Sequence, residues 1–251
     1  MRRGLLTLIC CAAAVVPFGP LAAAADGPEG LPRILPRQLE IELALSAAPE
    51  HLRPGAAVYV LGEDGFELAR RASNEGSNGF TCFVTRGLGG EGHVDDHVEP
   101  MCYDEEGMET FGAVAFDRYR MLRQGADPEE VRAEIAAGFA RGTYRAPTRG
   151  GVIYMLSPIN KVPDGRGGVL DYVPHLMFYA PHVSNREIGV TSELLTSGEY
   201  AFSGLPFLPA TGPHGFIVVP LGREEARQLV RAQRDLVERM RRYVEVDLRW
   251  E

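Results

Sequence analysis

Potential metal ligands are concentrated in one short stretch of this chain. Within seven residues the sequence places His93, Asp95, Asp96, His97 and Glu99. Imidazole nitrogens suit zinc and carboxylate oxygens suit calcium, so this density predicts a metal site that uses His93, Asp95 and His97. The alternative is a hydrated acidic loop tip, because one loop rarely supplies a whole coordination shell. The sequence identifies no cofactor.

A second pair of histidines lies in two similar segments. Pro174–Pro181 and Pro213–Pro220 share the spacing Pro-His, five residues, Pro, and each predicts a short strand with His175 or His214 at its entrance. Parallel strands would bring both imidazoles to one end of a sheet, whereas antiparallel strands would separate them. In the first arrangement the pair could serve a hydrolase, with Asp171 as orienting residue. Otherwise each ring would bond a neighbouring carbonyl.

The familiar catalytic signatures are absent from the sequence. There is no GxSxG elbow, no HExxH helix, no phosphate-binding glycine loop with lysine and no dinucleotide fingerprint. Ser184 and Ser203 could be nucleophiles only if the fold brings a histidine to them. An apolar pocket could be lined by Phe202, Leu205, Phe207 and Leu208, which are equally compatible with loop residues that fold onto the core.

The N-terminus has the three-part layout of a secretory signal peptide. Two arginines precede the apolar run Leu5–Val16, and Ala22–Ala25 supply the small residues that a signal peptidase requires. We therefore expect cleavage after residues 1–25 and export to the periplasm or the extracellular space. The run is too short to span a membrane and no later segment rivals it, so the sequence predicts no transmembrane segment.

Residues 26–251 are expected to form a single α+β domain. The whole chain has 26 Lys and Arg against 34 Asp and Glu, a formal net charge of −8. This acidic balance argues against nucleic acid and acidic membranes as partners. The remaining expectation is an unknown small ligand or an envelope component, and the oligomeric state is not indicated.

After the signal peptide only two cysteines remain, Cys82 and Cys102. In an oxidising compartment they most simply form one disulfide, whose loop closure would stabilise the fold by about 3 kcal/mol. The alternative is a redox-active or metal-binding thiol pair, which usually has much closer spacing, such as CxxC.

Local patterns predict an antiparallel or mixed sheet, a helical pair after the disulfide and a long helix near the C-terminus. Asp104 and Asp127 are expected to cap the two helices of the pair, the second with a reaching glutamate. The other predicted elements are a helix at Gln38–Ala48, a hairpin of Ala57–Leu61 and Phe66–Ala69, strands at Phe80–Val84 and Val152–Leu156, a helix at Arg223–Tyr243 and a terminal strand from Val244 to Trp250.

The chain also resembles a family of small secreted bacterial proteins of unknown function. The resemblance rests on the order and spacing of LSAAP, NGFTC, PMCYD, IYML and the two Pro-His strands, from about Glu42 to Pro220. The HVDDH loop and the lack of tryptophan after the second cysteine depart from the family pattern. The resemblance implies export and paired cysteines but no activity.

Two functions follow as hypotheses. The first is a non-catalytic exported protein that is rigidified by Cys82–Cys102 and binds a small ligand or a cell-envelope partner through loops at one end of its sheet. The second is a metal- or histidine-dependent hydrolase that uses His175 and His214. The two are separated by geometry, because the enzyme requires both imidazoles to face one point in a cleft.

Overall fold

A computed structural model of the chain describes residues 32–72, 76–86, 97–163, 168–196 and 203–248. The predicted signal peptide and most of the HVDDH loop lie outside these ranges. The helices are α1 Arg37–Ser46, α2 Glu105–Gly107, α3 Ala113–Arg123, α4 Pro128–Arg141, α5 Ser192–Thr196, α6 Arg223–Ala232 and α7 Arg234–Met240. The strands are β1 Ala57–Leu61, β2 Phe66–Arg70, β3 Thr81–Thr85, β4 Glu99–Tyr103, β5 Val152–Met155, β6 Lys161–Pro163, β7 Val169–Asp171, β8 His175–Tyr179 and β9 Phe216–Pro220.

The fold is α+β, as the sequence predicts. Seven strands form one mixed sheet in the order β2-β1-β3-β4-β5-β8-β9. Strand β1 pairs with β3 in parallel, and every other neighbouring pair in this sheet is antiparallel. The short strands β6 and β7 form a separate antiparallel pair. Among the described residues, no helix has the length and apolar character that crossing a membrane requires.

Helices cover the main sheet from both sides. Phe116 of α3 packs its ring against the rings of Tyr59 and Phe83, with ring centroids 5.1 Å and 5.0 Å apart. We call the side of the sheet that carries these two side chains the α3 face. Residues directly opposite on paired strands share a face, so Val58, Cys82 and Cys102 lie together on the other side. There α1 lies against β1, β3 and β4, and we call this side the α1 face.

The two cysteines are bonded, as predicted. Cys82 and Cys102 are directly opposite on the antiparallel strands β3 and β4, and both are fully buried on the α1 face. The bond therefore links two central strands beneath α1. The chain is a disulfide-stabilised protein, and the pair is not available as exposed thiols.

The predicted helical pair follows the disulfide with both expected caps. The Asp104 side chain accepts the Gly107 N–H at 2.8 Å and so begins α2, which continues through a π-helical turn at Met108–Gly112 into α3. Asp127 accepts two first-turn amides of α4, and Glu130 reaches back to the Asp127 N–H.

The C-terminal region differs from its prediction in two details. The helix predicted across Arg223–Tyr243 is present as α6 and α7, because Gln233 has the non-helical dihedrals φ −118° and ψ 24°. The terminal strand is not formed in the described residues up to 248. Val244, Val246 and Leu248 do alternate into the core, but this segment pairs with no strand there.

Candidate functional site

The structure describes only part of the predicted metal cluster. His93, Asp95 and Asp96 lie outside the described residues. His97 is buried, and its Nε2 lies 3.2 Å from Oε2 of Glu99, two positions further along the chain. In the part of the chain that the structure describes, no three His, Cys, Asp or Glu side chains are placed to hold a metal ion together. The site of His93, Asp95 and His97 stays a prediction.

The structure does not bring His175 and His214 together. Strands β8 and β9 are antiparallel, so His175 at the start of β8 pairs with Pro220 at the end of β9. His214 precedes the start of β9, where Phe216 pairs with Tyr179. At about 3.4 Å per residue, β8 alone spans about 14 Å from His175 to Tyr179, and His214 lies beyond the Tyr179 end. The shared two-histidine site that parallel strands would have allowed is not formed.

Each of these histidines has a structural environment instead. Nδ1 of His175 donates to the Val173 carbonyl at 2.9 Å, and burial lowers the pKa of this imidazole to about 4. Nε2 of His214 donates to the Arg145 carbonyl at 3.0 Å, while its ring stacks on Phe111 at 4.4 Å. Burial also lowers the pKa of His214. Both rings are held as neutral hydrogen-bond donors to the backbone.

The other predicted participants are also engaged elsewhere. Asp171, the expected orienting residue, binds the Lys161 ammonium at 3.2 Å and accepts the Asp247 N–H. The Ser184 hydroxyl donates to Glu187 in a helix cap, and the Ser203 hydroxyl accepts the Leu205 N–H. Of the predicted pocket residues, Phe202 lies outside the described ranges, Leu205 is exposed, Phe207 bridges to Val218 and Leu208 is buried.

The α1 face carries a feature that sequence reasoning missed. Across β5, β8 and β9, residues opposite one another form two apolar rows, and none of them is fully buried. Phe178 is 42% exposed. The rows are Val152, Phe178 and Ile217, and then Tyr154, Leu176 and Val219.

The opposite side of the same three strands is closed. Ile153, Met155, Met177 and Val218 on the α3 face are each 3% exposed or less. These strands are thus apolar on both sides, as strands buried on both sides are, but only one side is completely buried. A contiguous, partly exposed apolar surface of this kind marks an interaction site more often than a structural surface.

Helix α6 converts part of this surface into a groove. It lies beside β5 and β8 and leaves an open space of about 440 Å³. The floor and most of the walls are apolar, and Glu225 and Gln228 stand on the helical side. The lining residues are Tyr154, Leu156, Leu176, Leu221, Glu225, Gln228, Leu229 and Ala232. We call this space the α6 groove.

A second depression lies at the other end of the sheet. It measures about 620 Å³ beside the β1–β2 hairpin, and charged side chains, including the ion pair of Arg37 with Glu67, form much of its wall. Four of its eleven lining residues are charged, whereas one of the eight that line the α6 groove is charged. The α6 groove is therefore the more apolar site.

Comparison with known proteins identifies no relative. No protein-family model matches the sequence, and neither the curated proteins nor the solved structures contain a match. The resemblance to small secreted bacterial proteins stays a prediction.

Proposed function

We propose that this chain is an exported bacterial protein that binds an apolar small molecule in the α6 groove, without catalysing a reaction. The proposal rests on the size and the apolar lining of this groove. Its volume of about 440 Å³ falls in the range of about 300 to 1,000 Å³ that small-molecule sites occupy. Burying the apolar part of a ligand against its floor would supply the favourable free energy of binding, at about 25 cal/mol per Å² removed from water.

The arrangement around the groove supports binding rather than chemistry. Tyr154, Leu176 and Leu229 offer hydrocarbon and an aromatic ring. Among the eight lining residues, the groups that could act in acid–base or nucleophilic chemistry are the Glu225 carboxylate and the Tyr154 hydroxyl, and no histidine, serine or cysteine accompanies them. The His175 side chain lies on the opposite face of the sheet. It is two residues from Met177 on β8, and alternate residues of a strand share a face. A ligand in the groove would not reach either histidine of the alternative hydrolase.

Export is the second part of the proposal. The N-terminal pattern of residues 1–25 supports it, and the buried disulfide between Cys82 and Cys102 fits a chain that folds in an oxidising compartment. N-terminal sequencing of the protein recovered from the periplasm or the medium tests it. We expect a chain that starts near Asp26, whereas an intact Met1 start in the cytoplasm would contradict export.

Binding is tested by titrating the purified mature protein with N-phenyl-1-naphthylamine, a neutral fluorophore that brightens in apolar sites. We expect saturable 1:1 binding in the micromolar range. Leu229→Gln should weaken binding about tenfold, because a polar amide replaces part of the apolar wall. Ala232→Trp gives a second variant that obstructs the groove from an exposed position at the end of α6 without disturbing the core.

The control replaces an exposed leucine outside the groove. Leu205 is 53% exposed and does not line the groove, so Leu205→Gln should bind the fluorophore like the wild type. Urea unfolding of all three variants establishes that each is folded. Absence of saturable binding to the wild type, or equal binding by the wild type and both groove variants, would overturn the proposal.

A further inference from the structure

The polar side of the α6 groove has a definite chemical character. It consists of Glu225 in the first turn of α6 and Gln228 almost one turn later, both exposed. The strands opposite contribute only apolar side chains and the Tyr154 hydroxyl. None of the eight described residues that line this groove is Lys, Arg or His. The charged and amide groups that a bound ligand would meet therefore belong to these two residues, and Tyr154 adds one hydroxyl.

Glu225 differs from its neighbour Glu224 in its contacts. Glu224 binds the Arg231 guanidinium at 2.9 Å and accepts the Gln228 amide N–H at 3.5 Å. Within the described residues, Glu225 makes no ion pair. Its carboxylate is therefore available to a ligand, while that of Glu224 is already engaged.

The same hydrogen bond engages part of the Gln228 amide. One N–H of its Nε2 donates to Glu224 at 3.5 Å, while its Oε1 carbonyl can accept a hydrogen bond from a ligand. Glu225 also presents acceptors only. Two acceptors, one of them negatively charged, on a chain of formal net charge −8 favour a cationic hydrogen-bond donor and repel an anion.

We infer that the ligands of the α6 groove are amphipathic amines, whose hydrocarbon part lies on the strand side and whose ammonium binds Glu225 and Gln228. This inference rests on the proposed function and adds the chemical class of the ligand. A primary ammonium has three donors, so it can bind the Glu225 carboxylate and the Gln228 carbonyl together. The pair is open to water, so the ammonium contributes selectivity while the apolar contact contributes most of the affinity.

The experiment displaces N-phenyl-1-naphthylamine from the mature protein with three ligands of equal chain length, each below its micellar concentration. Decylamine, decanol and decyl sulfate share a ten-carbon chain and differ in the head group. The amine and the alcohol differ in charge and hydrogen-bonding capacity at nearly equal size, and the sulfate adds an anion. We expect decylamine to bind about fivefold more tightly than decanol, and decyl sulfate to bind more weakly than both.

Two matched variants identify the carboxylate responsible. Glu225→Gln should abolish the preference, so that decylamine and decanol bind this variant with similar affinity. Glu224→Gln removes an equal charge one residue away, and it should retain at least half of the preference for decylamine. Both positions are exposed, so each variant should fold like the wild type.

The outcomes separate this inference from the proposed function. If decylamine and decanol bind wild type equally and Ala232→Trp weakens both, the groove binds apolar molecules and the amine inference is overturned. An amine preference that survives Glu225→Gln, or that Glu224→Gln removes to the same extent, also overturns it. If the fluorophore binds in the groove and none of the three ligands displaces it, the amine inference is overturned and the proposed function stands. If the fluorophore itself does not bind, the proposed function fails.

Discussion

Two adjacent glycines before β5 differ in the space around them. A Cβ atom on Gly151 would overlap Oδ2 of Asp104 and the ring of Tyr179, whereas a Cβ on Gly150 would meet no atom within 4 Å. The contacts at Gly151 are tight because Asp104 accepts the Val152 N–H at 3.0 Å and the Tyr179 hydroxyl at 2.6 Å. Neither side chain can move without breaking a hydrogen bond.

We therefore predict opposite outcomes for the same substitution at these neighbours. Gly151→Ala should lower the free energy of unfolding by about 2 kcal/mol, because it forces Asp104 and Tyr179 apart. Gly150→Ala should change it by no more than about 0.5 kcal/mol. Urea unfolding followed by circular dichroism measures both values. Equal destabilisation by the two variants would mean that the close approach at Gly151 does not constrain the fold.

His175 is predicted to make stability depend on pH. Burial lowers the pKa of its imidazole from 6.5 to about 4 in the folded protein, so between these values the unfolded chain binds more protons than the folded one. The stabilisation is present above pH 6.5 and is lost as the pH falls towards 4. The full loss is on the order of 3 kcal/mol.

Asparagine at this position tests that prediction. His175→Asn removes the titration while keeping an amide donor that can reach the Val173 carbonyl. Between pH 7 and pH 4, the free energy of unfolding of the variant should fall less steeply than that of the wild type. Nuclear magnetic resonance of the wild type should show a neutral imidazole at pH 5. A protonated His175 at pH 5, or identical pH profiles, would contradict the assignment.

At the scale of elements, the sequence predicts best what is locally encoded. The α4 helix is an example, since Asp127, Pro128 and Glu130 specify its start and Gly142 adopts the left-handed conformation at its end. The break between α6 and α7 at Gln233 has no such signal. Neither proline nor glycine lies there, and tertiary packing of Leu236 and Met240 decides the direction of α7.

Strand direction and coverage depend on distant parts of the chain. The strands β8 and β9 could be predicted from their apolar runs between prolines, but their antiparallel pairing could not, and that pairing separates His175 from His214. The α6 groove escaped prediction for a related reason. Apolar residues on both faces of β5 and β8 indicate burial on both sides, and only the placement of α1 and α6 shows which side stays partly open.

On the scale of the whole molecule, the buried side chains of the described residues form two clusters of unequal size. The larger one joins the main sheet to α1, α3, α6 and α7 and contains the disulfide. The smaller one contains Val114 and Leu122 of α3 with Val131 and Ile135 of α4. Helix α4 thus has its buried side chains in the small cluster, outside the core that holds the sheet together.

We predict from this division that α4 opens before the rest of the protein unfolds. Under native conditions the α4 amides should exchange hydrogen through a partial opening, with a free energy at least about 2 kcal/mol below that of the β4 amides. Hydrogen exchange measured by nuclear magnetic resonance gives both values. The control is Val84→Ala, a truncation at a fully buried position of the larger cluster.

This control distinguishes partial opening from global unfolding. Val84 stays packed when only α4 opens, so the truncation should lower the opening free energy of the β4 amides by about 2 kcal/mol and leave that of the α4 amides unchanged. If the opening free energies of the α4 amides and the β4 amides fall by the same amount, α4 unfolds only together with the sheet. The small cluster would then be part of one cooperative unit, held through contacts such as that of Phe139 with His214 at 4.7 Å.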